Sequence, residues 1–124
     1  MKRFLSGVLA ALMLCGVLAG CGGKPSGMTD NVYDYGCKAL DVVDQYLDTE
    51  LTAEEAQSKL EQIGAMIDPQ SDDTVMKNTE EMIKSETEFL VFLMIGAQNK
   101  MENLESTISD IREWRDKLAK NLGK

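Results

Sequence analysis

The chain has 124 residues with 13 cationic and 21 acidic side chains, no histidine and a formal net charge of −8. That excess of negative charge is repelled by phosphate polyanions and anionic headgroups, which argues against nucleic-acid partners and against membrane adhesion through basic patches. The lack of histidine excludes histidine-based nucleophilic triads, His-ligated zinc and the Glu-x-x-His di-iron site of helical bundles.

In chain order, Met1-Lys2-Arg3 supplies a positive start, Phe4 to Val17 an apolar run, and Ala19 and Gly20 small residues just before Cys21. This is the layout of a cleavable secretory leader. A single-pass anchor is the alternative, but a span needs about 20 apolar residues, and this run is shorter and ends in Cys21-Gly22-Gly23. Leu18-Ala19-Gly20-Cys21 resembles the lipobox of bacterial lipoproteins. The resemblance implies that residues 1–20 are removed, that the Cys21 thiol carries diacylglycerol, and that the protein sits on the extracytoplasmic face of the cell membrane, or on the outer membrane of a two-membrane host. It is silent on function.

Cleavage there leaves 104 residues, one domain's worth, and takes two cations with it, so the charge becomes −10. Cys15 leaves with the leader and Cys21 is lipidated, so Cys37 is the one remaining thiol and no intramolecular disulfide forms. Cys37 reads as a small, partly buried apolar residue, with an intermolecular disulfide or a reactive thiol as the alternatives. Residues 21–28, rich in Gly with Lys, Pro and Ser, read as the lipidated cysteine and a short flexible tether.

From Thr29 to residue 124 the pattern is helical. Thr29 or Asp30 caps a first helix, whose stripe is Val32, Gly36, Ala39, Leu40, Val43, Tyr46 and Leu47. It should stop near Asp48 to Glu50. Thr52 with Glu55 three residues on forms a capping box, opening a second helix with Ala53, Ala56, Leu60, Ile63 and Ile67 on one face. Pro69 ends it by disfavouring helical geometry at Asp68. The short link makes helices two and three antiparallel neighbours.

A third helix begins near Ser71 to Asp73, with a stripe of Val75, Met76, Thr79, Met82, Ile83, Thr87, Leu90 and Met94. Its segment Phe89 to Ile95 is apolar on every side, so it is either the central spine of a bundle or partly an exposed patch. Gly96 to Asn99 reads as a turn, after which Met101, Leu104, Ile108, Ile111, Leu118 and Leu122 form a fourth stripe. The alternative fuses the last two helices into one. The expected fold is therefore all-α, a small antiparallel bundle of three to four helices following a cleaved signal peptide.

Tyr35-Gly36, Ala39-Leu40, Asp44-Gln45-Tyr46-Leu47-Asp48, Thr52-Ala53-Glu54-Glu55-Ala56 and Leu60 together resemble a helical hairpin of small uncharacterised proteins from Gram-positive bacteria. The resemblance spans about 30 residues and implies no activity. Physically, Gly36 permits close helix approach, and Tyr35 and Tyr46 reach from core to surface.

No phosphate-cradling glycine loop or EF-hand loop is present. Asp41, Asp44 and Asp48 fall on one helical face, as either a solvated surface or a weak divalent-cation site, and hard cations need six or more converging oxygens. Met66, Met76, Met82, Met94 and Met101 fill the core or line an adaptable groove. Trp114 with Arg112 and Arg115 is an interface anchor or a core-edge residue with solvated cations. These readings lead to a non-catalytic membrane-anchored module, with no cofactor, no catalytic residue and no metal. It would contact an envelope protein or a second copy through Phe89, Phe92, Trp114 and Arg115. The alternative is a small-ligand or peptide receptor with a pocket between helices, and an enzyme built on carboxylates alone ranks last.

Overall fold

The computed structural model describes residues 23–99 and 104–124. Among them are four helices and no strand: α1 (Asp30–Leu47), α2 (Ala53–Met66), α3 (Thr74–Gln98) and α4 (Leu104–Asn121). The helices run up, down, up and down around one core. Asn31 at the start of α1 donates to the Met66 carbonyl at the end of α2, and Gln98 at the end of α3 meets Gln57 at the start of α2. The bundle thus has a base, where α1 and α3 begin and α2 and α4 end, and a distal end at the other side. Among the described residues no helix is long and apolar enough to cross a membrane.

The core is built from the inward residues of all four helices, with Val32, Val43, Leu60, Ile83, Leu90, Met94, Ile111, Leu118 and Leu122 fully buried. Gly36 lets α1 approach the end of α4: a Cβ there would lie 2.6 Å from the Leu122 Cδ2. Tyr35, Tyr46 and Cys37 are half-buried against this core.

Helix ends follow the local chemistry except at α1, where Thr29 holds the N-cap position but its hydroxyl donates to Glu80 and caps no amide of the helix. At α2 the Thr52 hydroxyl accepts from the Glu55 amide at 3.1 Å while the Glu55 carboxylate accepts from the Thr52 amide at 3.0 Å, a reciprocal capping box. Two residues before Pro69, Ile67 is already extended (ψ 122°), and α2 stops there. No basic residue lies in the last turn of α2. Instead Lys84 reaches across from α3 and donates to the Gly64 and Ile67 carbonyls at 2.6 and 3.1 Å, placing a cation at the negative end of the helix dipole. Asp73 caps α3 by accepting from the Met76 amide at 2.9 Å. The α1–α2 turn passes through Thr49 at φ 62°, a left-handed conformation uncommon for a β-branched residue.

Three expectations are corrected. Val75 and Met82, placed on the inner stripe of α3, are exposed; that stripe is Glu80, Ile83, Thr87, Leu90, Met94 and Ala97. Glu80 takes an inward position because its carboxylate finds backbone donors there. Gly96 is no turn: α3 continues through it to Gln98, with Asn99 as its C-cap. A helical glycine costs only about 1 kcal/mol, and the continuation buries Ala97. Leu104, assigned to the inner stripe of α4, is exposed, and Met101 lies outside the described residues.

Residues 23–28, the greater part of the expected tether, lie against the base. Met28 is buried, its amide bonds the Pro25 carbonyl at 3.2 Å, and the Ser71 hydroxyl donates to the Gly27 carbonyl at 2.7 Å. At the end of α4, Gly123 adopts φ 83°, and a Cβ on it would sit 2.9 Å from the Gly23 carbonyl oxygen and 3.2 Å from the Pro25 Cγ. Cys21 itself lies outside the described residues.

Candidate functional site

The run from Phe89 to Ile95 is split by helical geometry. Leu90, Leu93 and Met94 turn into the core, whereas Phe92 is 63% exposed, Ile95 38% and Phe89 36%. Both sequence readings of this run hold for different residues: it is part spine and part exposed patch. Trp114, half-buried on α4, packs against the Phe89 ring with centroids 4.5 Å apart, and Phe89 meets Phe92 at 5.7 Å. These tilted contacts lie within the range preferred by aromatic pairs. The Lys117 ammonium lies 4.3 Å from the Trp114 centroid, a cation–π contact that covers one edge of the cluster. From Phe89 to Gln98 α3 carries no charge. The result is a continuous aromatic face shared by α3 and α4.

No family model, curated protein or solved structure matches the chain.

Arg115 does not join this face. Neighbouring side chains on a helix point about 100° apart, and Arg115 turns towards α1. Its Nε and Nη2 donate to the two Asp44 carboxylate oxygens at 2.8 and 3.2 Å, and its Nη1 reaches Asp116 at 3.1 Å. The fork ties α4 to α1 in the bidentate geometry characteristic of arginine and carboxylate. Of the four residues proposed for an interface, the structure brings together Phe89, Phe92 and Trp114 and sets Arg115 apart as a helix-to-helix clamp.

The acidic face of α1 is divided in the same way. Asp44 belongs to that clamp, Asp41 accepts from Gln45 at 3.0 Å, and Asp48 is exposed. Burial, then the proximity of Asp44 and Glu50, raises the Asp41 carboxyl above its usual range. Among the described residues no three His, Cys, Asp or Glu are placed to share a metal ion. The four described methionines of the expected groove do not form one: Met94 is buried, Met76 half-buried, Met66 and Met82 exposed on different helices. Open grooves of about 230 to 390 Å³ follow the helix seams, and four of them have no methionine in their walls and a single aromatic, Tyr46.

Two buried glutamates on α3 escaped the sequence reading. Glu80 has no exposed surface. One carboxylate oxygen accepts from the Thr29 amide at 2.7 Å and its hydroxyl at 2.9 Å; the other accepts from the Gln70 and Ser71 amides, each at 2.9 Å. Burial alone would push this carboxyl upward, but the bonds from Thr29, Ser71 and Gln70 outweigh it and hold the group below the usual range. Glu86 is buried between α3 and α4 with Asn121 Nδ2 donating to both oxygens at 3.0 and 2.8 Å. There burial prevails over the Asn121 bonds and the nearby Lys117 charge, and the carboxyl is raised. The signal in the sequence is spacing: Met76, Glu80, Ile83, Thr87, Leu90 and Met94 recur at steps of three and four.

Proposed function

We propose that the protein is a lipid-anchored, non-catalytic helical module of the bacterial cell envelope, which docks another envelope protein through the aromatic face of Phe89, Phe92 and Trp114. The anchoring part rests on Leu18-Ala19-Gly20-Cys21. The docking part is carried by one observation: Phe92, 63% exposed, stands at the centre of an uncharged stretch and beside two packed aromatic rings. Exposed aromatic clusters of this kind mark interaction surfaces, and aromatic anchors dominate interface energetics.

The test is in-cell photo-crosslinking from position 92 in the full chain, together with labelled-lipid incorporation. The reading requires one recurrent cross-linked protein, lost in Trp114→Ala and in Phe89→Glu while helix content is kept, and lipid labelling that disappears in Cys21→Ala. Cross-links that scatter over abundant proteins, or that persist in both variants, would reject the docking surface.

A further inference from the structure

We propose that the bundle stands upright with its base on the bilayer, held there by residues 23–29 acting as a short strap, so that the aromatic face points sideways above the membrane. The inference rests on lipidation at Cys21 and concerns what the structure then does with that anchor.

Two observations carry it. The first is the strap. Thr29 is held by the Glu80 carboxylate at 2.7 and 2.9 Å, Gly27 by the Ser71 hydroxyl at 2.7 Å, Lys24 by Asp30, and Gly23 and Pro25 lie against Gly123. The chain is therefore docked from Gly23 onward. Cys21 is two residues ahead of it, and at about 3.4 Å per residue a lipid on Cys21 lies within roughly 7 Å of the base. A docked strap of this length keeps the base at the surface, and the tilt about that single attachment point is left to the charge of the domain.

The second observation is charge. Between Lys38 and Lys59 the chain has six acids and no cation: Asp41, Asp44, Asp48, Glu50, Glu54 and Glu55. These residues approach and surround the distal end, where Arg115 pairs with Asp44 and Arg112 lines the same grooves as Asp48, Glu50 and Glu55, so the acids outnumber the arginines there by six to two. The base is balanced by contrast. Lys24, Lys77, Lys84, Lys120 and Lys124 accompany Asp30, Asp68, Asp72, Asp73 and Glu80 there, with Asp30 paired to Lys24, Asp73 occupied as a helix cap and Glu80 buried among its donors. An anionic leaflet repels the distal end and tolerates the base, so the field and the strap favour the same orientation.

The experiment uses the full lipidated chain in vesicles of phosphatidylethanolamine and phosphatidylglycerol. In a Cys37→Ser background, a fluorophore is placed at Lys120→Cys on the base or at Glu54→Cys at the distal end, and quenching by headgroup-labelled nitroxide lipid is read. The helices between these sites put the second label on the order of 20 Å higher. The expected result is quenching several-fold stronger at position 120 than at position 54, with the contrast reduced when ten Gly-Ser residues are inserted between Gly22 and Gly23. Equal or reversed quenching in membrane-bound protein would overturn the upright arrangement while leaving lipidation intact. If the processed chain fails to bind vesicles, or if the leaderless Cys21→Ala chain binds them equally well, the lipidation reading itself fails and the orientation falls with it.

Discussion

The two buried glutamates of α3 make opposite predictions from the same substitution. Glu80→Gln preserves size but replaces one acceptor oxygen with an NH2 group. Each carboxylate oxygen of Glu80 receives two donors, from Thr29 on one side and from Gln70 and Ser71 on the other. The best amide orientation faces Thr29, whose hydroxyl can turn to accept, and still leaves the Thr29 amide opposed to another donor. A buried donor without an acceptor costs about 1–3 kcal/mol, and converting charge-assisted bonds to neutral ones costs about 1 kcal/mol apiece. The expected loss is about 3–5 kcal/mol, a large part of the roughly 5–15 kcal/mol that stabilises a domain. Glu86→Gln keeps an acceptor for Asn121 Nδ2 and removes a carboxylate whose burial opposes its charge. Its expected effect at pH 7 lies between zero and a gain of about 1 kcal/mol.

The assay is urea unfolding of the leaderless Cys21→Ser chain, followed by helix circular dichroism from pH 3 to pH 8. The lowered Glu80 carboxyl contributes stability that is present above the unfolded glutamate value of about 4.3 and is lost as pH falls through the lower folded value. The raised Glu86 carboxyl works in reverse: its penalty is absent in acid and grows as pH rises from about 4.3 through the folded value. Glu80→Gln should therefore flatten the acid limb of the stability profile, and Glu86→Gln should remove a decline on the neutral side. Equal costs for the two variants at pH 7, or a Glu80→Gln cost below about 0.5 kcal/mol, where surface substitutions fall, would refute the assignment of Glu80 as the hub of the base.

Other variants test packing and capping. Gly36→Ala drives a Cβ to 2.6 Å from a fully buried Leu122 methyl, an overpacking cost of about 1–3 kcal/mol that exceeds the helix-propensity gain of about 1 kcal/mol; thermal melting should show a lower Tm. Gly64→Ala meets nothing closer than the Thr87 Cγ2 at 3.6 Å, so the propensity gain stands and Tm should rise by a few degrees. Thr52→Ala removes the capping box of α2 and should cost about 1 kcal/mol in urea unfolding. A double-mutant cycle on Arg115 and Asp44, both about one-third exposed, should give a coupling of only about 0.5–1 kcal/mol that shrinks with added salt.

What could be read from the sequence was local. The Thr52–Glu55 box, the stop before Pro69 and the acid cap of α3 depend on residues a few positions apart, and each appears where those residues place it. The inner face of α3 was less legible, because apolar spacing there is satisfied by several stripes and an inward glutamate looks like a solvated one. Its donors, Thr29 and the amides of Gln70 and Ser71, come from two other segments, and only their assembly makes an interior Glu80 favourable. Gly96 misled for a related reason: its cost is small, and the burial of Ala97 beyond it is a tertiary gain. For the candidate site, the apolar run showed that part of α3 had to be either buried or exposed in a patch, but only the position of α4 determined which residues faced out. Trp114 proves to be a neighbour of that run, a contact that the spacing within α4 does not reveal, and Arg115 is grouped with it by an adjacency in sequence that helical geometry separates.

On the proposed reading, anchoring and docking together would let so small an aromatic face suffice. At about 200 Å² per aromatic side chain, the exposed parts of Phe89, Phe92, Ile95 and Trp114 present on the order of 300 Å², well below the roughly 800 Å² per partner of a stable interface. Free in solution, such a contact would be short-lived. A partner in the same membrane changes the terms, since tethering both proteins to one surface raises their effective concentration and strengthens association without any added contact. An upright bundle places Phe92 about 27 Å along α3 from its first residue at the base, facing the lateral space where the extracytoplasmic part of a membrane partner would stand. On this reasoning the affinity of the leaderless module for its partner is weak in solution, and the lipid, the strap and the aromatic face act as one device.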